Sequence, residues 1–390
     1  MNWIKNTALF LCSILFSLIV LEVGMRFVFP DKLAVQRDHS DPLMPRQSAG
    51  ALKDPAFGST ATFDSIGLRV NPNNCADAVD RRILIVGDSN IAALFLNDGL
   101  DLSAQLAQLL NETGCVIVDS FGVAGYGPDQ SLFAATHLLK AQHYDDVIFH
   151  IFADNDAGDL LRNNFPLENG RLTNTGYCHP NRSFLDRLVL PQAGQKLYYA
   201  ATGKILDWHS LRHSLGEDAR CLASDVTTVG SQFDQLQARA VNDLKIKQAN
   251  GAQAYMNDRF DVEFACQSSP VSHQIAMSKM STVVQGVLDL ATEKSFNPMF
   301  LLQPSEFDVT ANHADLSQDI QTSCPNYAPT NNTDFFVQAI GEKVAMINLY
   351  DAFSDCGDCF YTMAEAGGDN HWNAYGIGVA AKELATVLAR

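Results

Sequence analysis

The sequence predicts an α/β protein: a flavodoxin-like three-layer α/β/α sandwich with about five parallel strands, an N-terminal transmembrane helix and a mixed insertion. Three observations predict it. Short continuous apolar runs such as 83–86 (Ile-Leu-Ile-Val) and 299–302 (Met-Phe-Leu-Leu) have the texture of strands buried on both faces. Segments of helical periodicity separate them, as parallel crossovers require. A different apolar run, 8–21, lies at the very start of the chain.

That first run follows Lys5 and ends at Glu22, Val23, Gly24, Met25 and Arg26. It is at the short end for a spanning helix, and it also has the look of a signal-peptide core. No small-x-small cleavage pair follows, because Glu22 stands two residues before Gly24, and Leu11 rather than a small residue precedes Cys12. Residues 1–28 therefore read as an uncleaved signal anchor. The membrane is then one partner, and the rest of the chain is extracytoplasmic, either periplasmic or extracellular.

Residues 29–80, rich in Pro, Asp, Asn and Ser, read as a linker and lead-in. The domain proper spans 81–390. In it, strands are expected at 83–86, 116–118, 147–152, 299–302 and 344–349, and helices at 91–111, 129–141, 271–294, 332–342 and 374–389. Between the third strand and the third helix, residues 160–270 show no repeat and read as an insertion.

Acids outnumber bases 44 to 27, for a formal net charge of -17. A surface of that sign repels phosphate backbones, so nucleic acid is not an expected partner. Of nine cysteines, Cys12 lies in the apolar run, which leaves an even number for disulfides in an oxidising compartment. The pair in Cys356-Gly-Asp-Cys359 reads as structural disulfide material rather than as a redox or metal site, because no second CxxC or histidine pair completes a zinc set. His209 and His213 have a metal-compatible spacing on a helix but lack a third ligand. No metal or other cofactor is expected, and the sequence leaves oligomeric state open.

Ligands in such sheets bind beyond the carboxyl ends of the strands, and polar motifs stand there. Gly87-Asp-Ser-Asn90 follows the first strand and opens a helix, where a serine amide can face a developing oxyanion. A plain helix cap would have the same sequence. Residues 121–127 (Phe-Gly-Val-Ala-Gly-Tyr-Gly) follow the second strand and can bring backbone N–H groups close to a ligand, or simply turn the chain. Ala153-Asp-Asn-Asp156 follows the third strand, and the Asn155 side chain can donate its amide. Near the carboxyl terminus, residues 368–373 (Gly-Asp-Asn-His-Trp-Asn) offer an imidazole with a carboxylate two positions earlier, an arrangement suited to proton transfer.

In this order the four blocks resemble those of the GDSL/SGNH hydrolase superfamily, over about residues 82–160 and 271–390. The resemblance implies Ser89 as nucleophile, His371 as base and Asp369 as its orienting acid. It implies an oxyanion hole from the Ser89 amide, Gly125 and Asn155, with Gly122 the second choice of glycine. Ala153 stands where the family often has glycine. The implied reaction is hydrolysis of an acyl ester, acetyl being the expected group, on carbohydrate or lipid through an acyl-serine. Transfer of the acyl group to an extracytoplasmic glycan by the same residues is the alternative, and a non-catalytic glycan- or partner-binding protein is a third. A base that must be neutral to work implies activity that rises with pH through a midpoint near or above about 6.5.

Overall fold

The computed structural model describes chiefly residues 58–71, 79–112, 114–162, 270–309, 330–360 and 371–389, with shorter pieces that include 16–24, 46–47 and 49–53. The chain divides into two compact units, residues 1–35 with 178–221, and residues 36–177 with 222–390. In the first, residues 16–24 are helical and expose Phe16, Leu18, Ile19, Val20, Leu21 and Val23. Among the described residues no helix is long and apolar enough to cross a membrane. The transmembrane helix expected over 1–28 is therefore not observed, and much of the apolar run lies outside the described residues. Most of the 160–270 insertion, His209 and His213 included, also lies outside them.

The second unit opens with a hairpin, β1 (Gly50–Lys53) paired antiparallel with β2 (Thr60–Phe63). The first strand of the main sheet, β3 (Arg81–Gly87), leads into the short helix α1 (Ser89–Ala92). Then follow α2 (Leu102–Leu110), β4 (Val116–Gly122), α3 (Pro128–Leu138), β5 (Asp146–Phe152) and α4 (Asp156–Arg162). After the insertion come α5 (Pro270–Lys294), β6 (Asn297–Gln303), α6 (Asn331–Ile340), β7 (Ala345–Asn348), α7 (Tyr350–Ser354) and α8 (Ala374–Leu388).

The main sheet has five strands in the order β7-β6-β5-β3-β4, with every neighbouring pair parallel. In chain order this is the flavodoxin arrangement, in which the winding direction reverses between β3 and β5. Pleating sends alternate residues of β3 into opposite layers. Ile83 and Ile85 join Leu106 and Leu110 of α2 and Ile377 and Leu384 of α8. Leu84 and Val86 join Leu132 of α3, Val283 and Val287 of α5, and Phe336 of α6. A sheet buried on both sides explains why its strands are continuous apolar runs.

The one long helix expected over 91–111 is instead two, α1 and α2, with turns between them. Ala93 ends α1 in the left-handed region at φ 45° and is fully buried. Asn97, Asp98 and Gly99 follow as turn residues, and the Asp101 carboxylate caps α2 by accepting the Ala104 amide at 3.2 Å.

The stretch read as a linker and lead-in holds β1 and β2 and supports that broken segment. Leu52, Ala61 and Phe63 form a small apolar cluster that takes in Leu94. Arg69 is buried, and its guanidinium donates to the carbonyls of Ala92 and Ala93, both at 3.0 Å, and of Leu96 at 2.8 Å. Asp98 and Asp101 lie 3.5 and 3.6 Å from it and balance its charge. Carbonyls that a helix end would leave unpaired are thus satisfied by a fixed fork of donors.

Candidate active site

Ser89 is the first residue of α1, immediately past the carboxyl end of β3. It is held there from both sides. Asp88 caps the helix by accepting the Asn90 amide at 2.9 Å. Across the sheet, Gly122 at the end of β4 allows α1 to lie directly on the backbone: a Cβ at Gly122 would stand 2.0 Å from the Ala92 nitrogen. Gly87 is equally constrained, since a Cβ there would meet Ile91 Cγ1 at 2.6 Å and His150 Cβ at 2.9 Å. The glycines on either strand are packing requirements of the turn that carries Ser89.

His371 reaches this point from the far end of the chain. Its Nε2 lies 2.8 Å from the Ser89 Oγ, and both residues are half-buried. The segment that carries it is pinned on its carboxyl side. Trp372 is fully buried and donates its indole Nε1 to the Asn90 carbonyl at 3.3 Å. Asn373 caps α8 by accepting the amides of Tyr375 and Gly376 at 2.9 and 3.0 Å. Its own amide nitrogen donates to the carbonyls of Asp358 and Phe360, both at 3.0 Å. Asp358 lies inside the loop closed by a disulfide between Cys356 and Cys359, and Phe360 follows it directly. The Phe95 ring packs on the imidazole with centroids 4.7 Å apart.

Gly125 sits at φ 76° in the exposed turn between β4 and α3, with open space where a Cβ would point. Asn155 is half-buried in the turn after β5. Both therefore stand beyond carboxyl ends of strands that flank β3, at the edge where Ser89 is presented. Gly122, by contrast, is buried against α1. Asp369 lies outside the described residues.

Sequence reasoning missed what lies under this edge. Asp88, Asn90, His150 and Gln303 are buried together, bonded in a chain from Asp88 through Asn90 and Gln303 to His150. Burial alone would raise the Asp88 pKa, but the adjacent His150, the charge of His371 and the Asn90 amide outweigh it and hold the carboxyl below its ordinary value. Asp156, which accepts the Phe152 amide at 2.9 Å, is pushed well up by burial first and then by the charges of Asp88 and Asp159. The available signal was a histidine inside an otherwise apolar strand run, 147–152.

Neither a family model nor a curated relative matches the chain. Among solved structures, it is similar to a catalytic mutant of an acetylxylan esterase from Geobacillus stearothermophilus, with 10% identity, a TM-score of 0.36, and coverage of 80% of this chain and 95% of that one. It is also similar to an alpha/beta hydrolase enzyme from the metagenome of Lake Arreo, Spain, with 12% identity, a TM-score of 0.38, and coverage of 80% and 97%. A lipase/acylhydrolase from Enterococcus faecalis is similar at 10% identity, a TM-score of 0.35, and coverage of 79% and 95%.

Proposed function

We propose that the protein is a serine esterase that hydrolyses an acyl ester, with acetyl the expected group, on carbohydrate or lipid. The observation that carries this reading is the 2.8 Å contact between His371 Nε2 and Ser89 Oγ at the switch point of a parallel sheet. A serine hydroxyl is a poor nucleophile until a base takes its proton, and a hydrogen bond of this length is the geometry for that transfer.

In the proposed reaction Ser89 Oγ attacks the ester carbonyl carbon while its proton passes to His371 Nε2. The oxygen that gains charge is met by the amides of Ser89 and Gly125 and by the side chain of Asn155. Each such donor is worth roughly 3–4 kcal/mol in the transition state. His371 then returns the proton to the leaving alkoxide, leaving acyl-Ser89. Water, deprotonated by His371, attacks the acyl carbon and frees the enzyme. Asp369, two residues before the base, is assigned the role of orienting the imidazole.

We place the domain outside the cytoplasm, tethered by the N-terminal run. The exposed apolar residues Phe16, Leu18, Ile19, Val20, Leu21 and Val23 of the helical stretch 16–24 and the Cys356–Cys359 disulfide support this. Release of acetate from an aryl acetate, measured with and without added oligosaccharide, tests the reaction. Stoichiometric acetate with unmodified sugar supports the hydrolase. Acetylated sugar in place of acetate would reassign the same residues to an O-acyltransferase.

A further inference from the structure

The segment that carries His371 rests on a small ledge, residues 355–360, and a disulfide closes that ledge. Cys356 follows α7 and donates its amide to the Phe353 carbonyl at 3.1 Å. Its sulfur is bonded to that of Cys359, across Gly357 and Asp358. Main chain then meets main chain. The Asn373 amide donates to the Cys359 carbonyl at 2.9 Å, and Phe360 forms an antiparallel bridge with Trp372. Gly376 lies so close that a Cβ there would stand 2.1 Å from the Cys359 oxygen. Cys359, Phe360 and Trp372 are buried, while Gly357 and Asp358 are exposed.

One side chain joins the two segments. Asn373 Nδ2 donates to the carbonyls of Asp358 and Phe360, both at 3.0 Å, while its Oδ1 accepts the amides of Tyr375 and Gly376. An amide nitrogen has two hydrogens, and both are spent on the ledge. That requires two carbonyls, from the residues on either side of Cys359, to converge on one point. Local sequence does not hold them there: Gly357 permits many backbone angles and has open space where a Cβ would point. The sulfur bridge does. A disulfide across two residues closes too short a loop to constrain the unfolded chain much, so its effect is local. Two residues before Asn373 stands His371, whose Nε2 is 2.8 Å from Ser89 Oγ.

We propose that the Cys356–Cys359 disulfide and Asn373 together position His371: the closed loop gathers two carbonyls, Asn373 binds both, and His371 is thereby held at Ser89. Reduction by a dithiol would break the S–S bond, leave a thiol on each cysteine and a disulfide on the reductant, and release the carbonyls. The reduced chain folds but turns over slowly, so full activity follows oxidation of this pair. The effect on turnover rests on the esterase reading, whereas the coupling of the loop to residues 371–376 does not.

Amide hydrogen exchange of the full-length chain tests the coupling. In Cys356→Ser/Cys359→Ser the amides of residues 373–376 should exchange at least about 10-fold faster, while those of 147–152 keep their protection. Unchanged protection at 373–376 would overturn the proposal. If that variant does not fold, Asn373→Asp serves: a carboxylate still caps α8 but cannot donate to the ledge. The amide of residue 373 should then exchange faster while those of Tyr375 and Gly376 stay protected. Turnover of an aryl acetate tests the positioning role. Each variant should lower kcat roughly 10- to 100-fold through misplacement of His371, with KM within about twofold. Combined, they should cost little more than either alone, because both break one device. Wild-type kcat in either variant, or full multiplication of the two losses, would remove the positioning role. Absence of turnover by the wild type would instead remove the esterase reading and leave hydrogen exchange to decide the coupling.

Discussion

The indole of Trp372 donates to the carbonyl of Asn90 at 3.3 Å, tying the residue after His371 to the residue after Ser89. Ser89 and His371 are 282 positions apart in sequence, so their contact depends on such cross-links. Trp372→Phe keeps an aromatic ring but removes this bond and part of a fully buried volume. The expected cost is about 1–3 kcal/mol of stability, read from urea unfolding, with a fall in kcat at pH 7. A variant as stable and as active as the wild type would show that the indole is only filler.

Arg69 is predicted to be indispensable through its shape rather than its charge. Its fork serves the carbonyls of Ala92, Ala93 and Leu96 at once. Arg69→Lys retains the charge but offers one compact ammonium to three separated oxygens. Each buried carbonyl left without a donor costs about 1–3 kcal/mol. The lysine variant should therefore show a clear drop in unfolding midpoint together with faster proteolysis within residues 89–101. Wild-type stability would contradict the role assigned to the fork.

The glycines after β4 separate packing from chemistry. Gly122→Ala drives a methyl group into the Ala92 nitrogen, so the protein should lose stability and activity together. Gly125→Ala meets no neighbour, but it keeps φ 76° only at a strain cost of about 1–2 kcal/mol. It should fold and lose activity out of proportion to its stability if the Gly125 amide faces the oxyanion. Circular dichroism melts beside kcat/KM distinguish the two patterns. For Asn155→Ala the expected loss is about 10²–10³-fold in kcat.

Asp156 gives a signed pH dependence. Its folded-state pKa is raised well above the ordinary value, by burial and then by the Asp88 and Asp159 charges. The folded chain therefore binds this proton more tightly than the unfolded chain. The stabilisation is fully present below the unfolded pKa of about 3.9 and is lost as pH rises toward the raised folded value. Asp156→Asn retains an oxygen for the Phe152 amide and removes the titration. Its unfolding free energy should fall less steeply with rising pH than that of the wild type, and should equal or exceed it at pH 8. A variant less stable than wild type at pH 8 would show that Asp156 serves as a charge.

The main sheet was legible because burial on both faces leaves no alternation to mistake for noise. All five strands, including the one at 83–86, lie where the apolar runs predict. The Ser89–His371 meeting was legible too, because both residues flank elements whose order in the sheet is constrained by parallel crossovers. Less could be read where tertiary contacts override local pattern. The β1–β2 hairpin has only Leu52 and Phe63 as large apolar residues, and with Ala61 they complete a small core against Leu94. The break between α1 and α2 was hidden by leucines that continue the helical spacing across Asn97, Asp98 and Gly99. The buried polar cluster under Ser89 was invisible for a different reason. Its members come from three places in the chain, Asp88 with Asn90, His150 and Gln303, and neither His150 nor Gln303 carries a motif.

Reaction of the intact protein with a fluorophosphonate, followed by mass mapping of the adduct, reads out whether Ser89 is the nucleophile. One adduct is expected, on Ser89, that forms much more slowly in His371→Ala and is absent from Ser89→Ala along with ester hydrolysis. An adduct on another residue, or equal hydrolysis by wild type and Ser89→Ala, would contradict it.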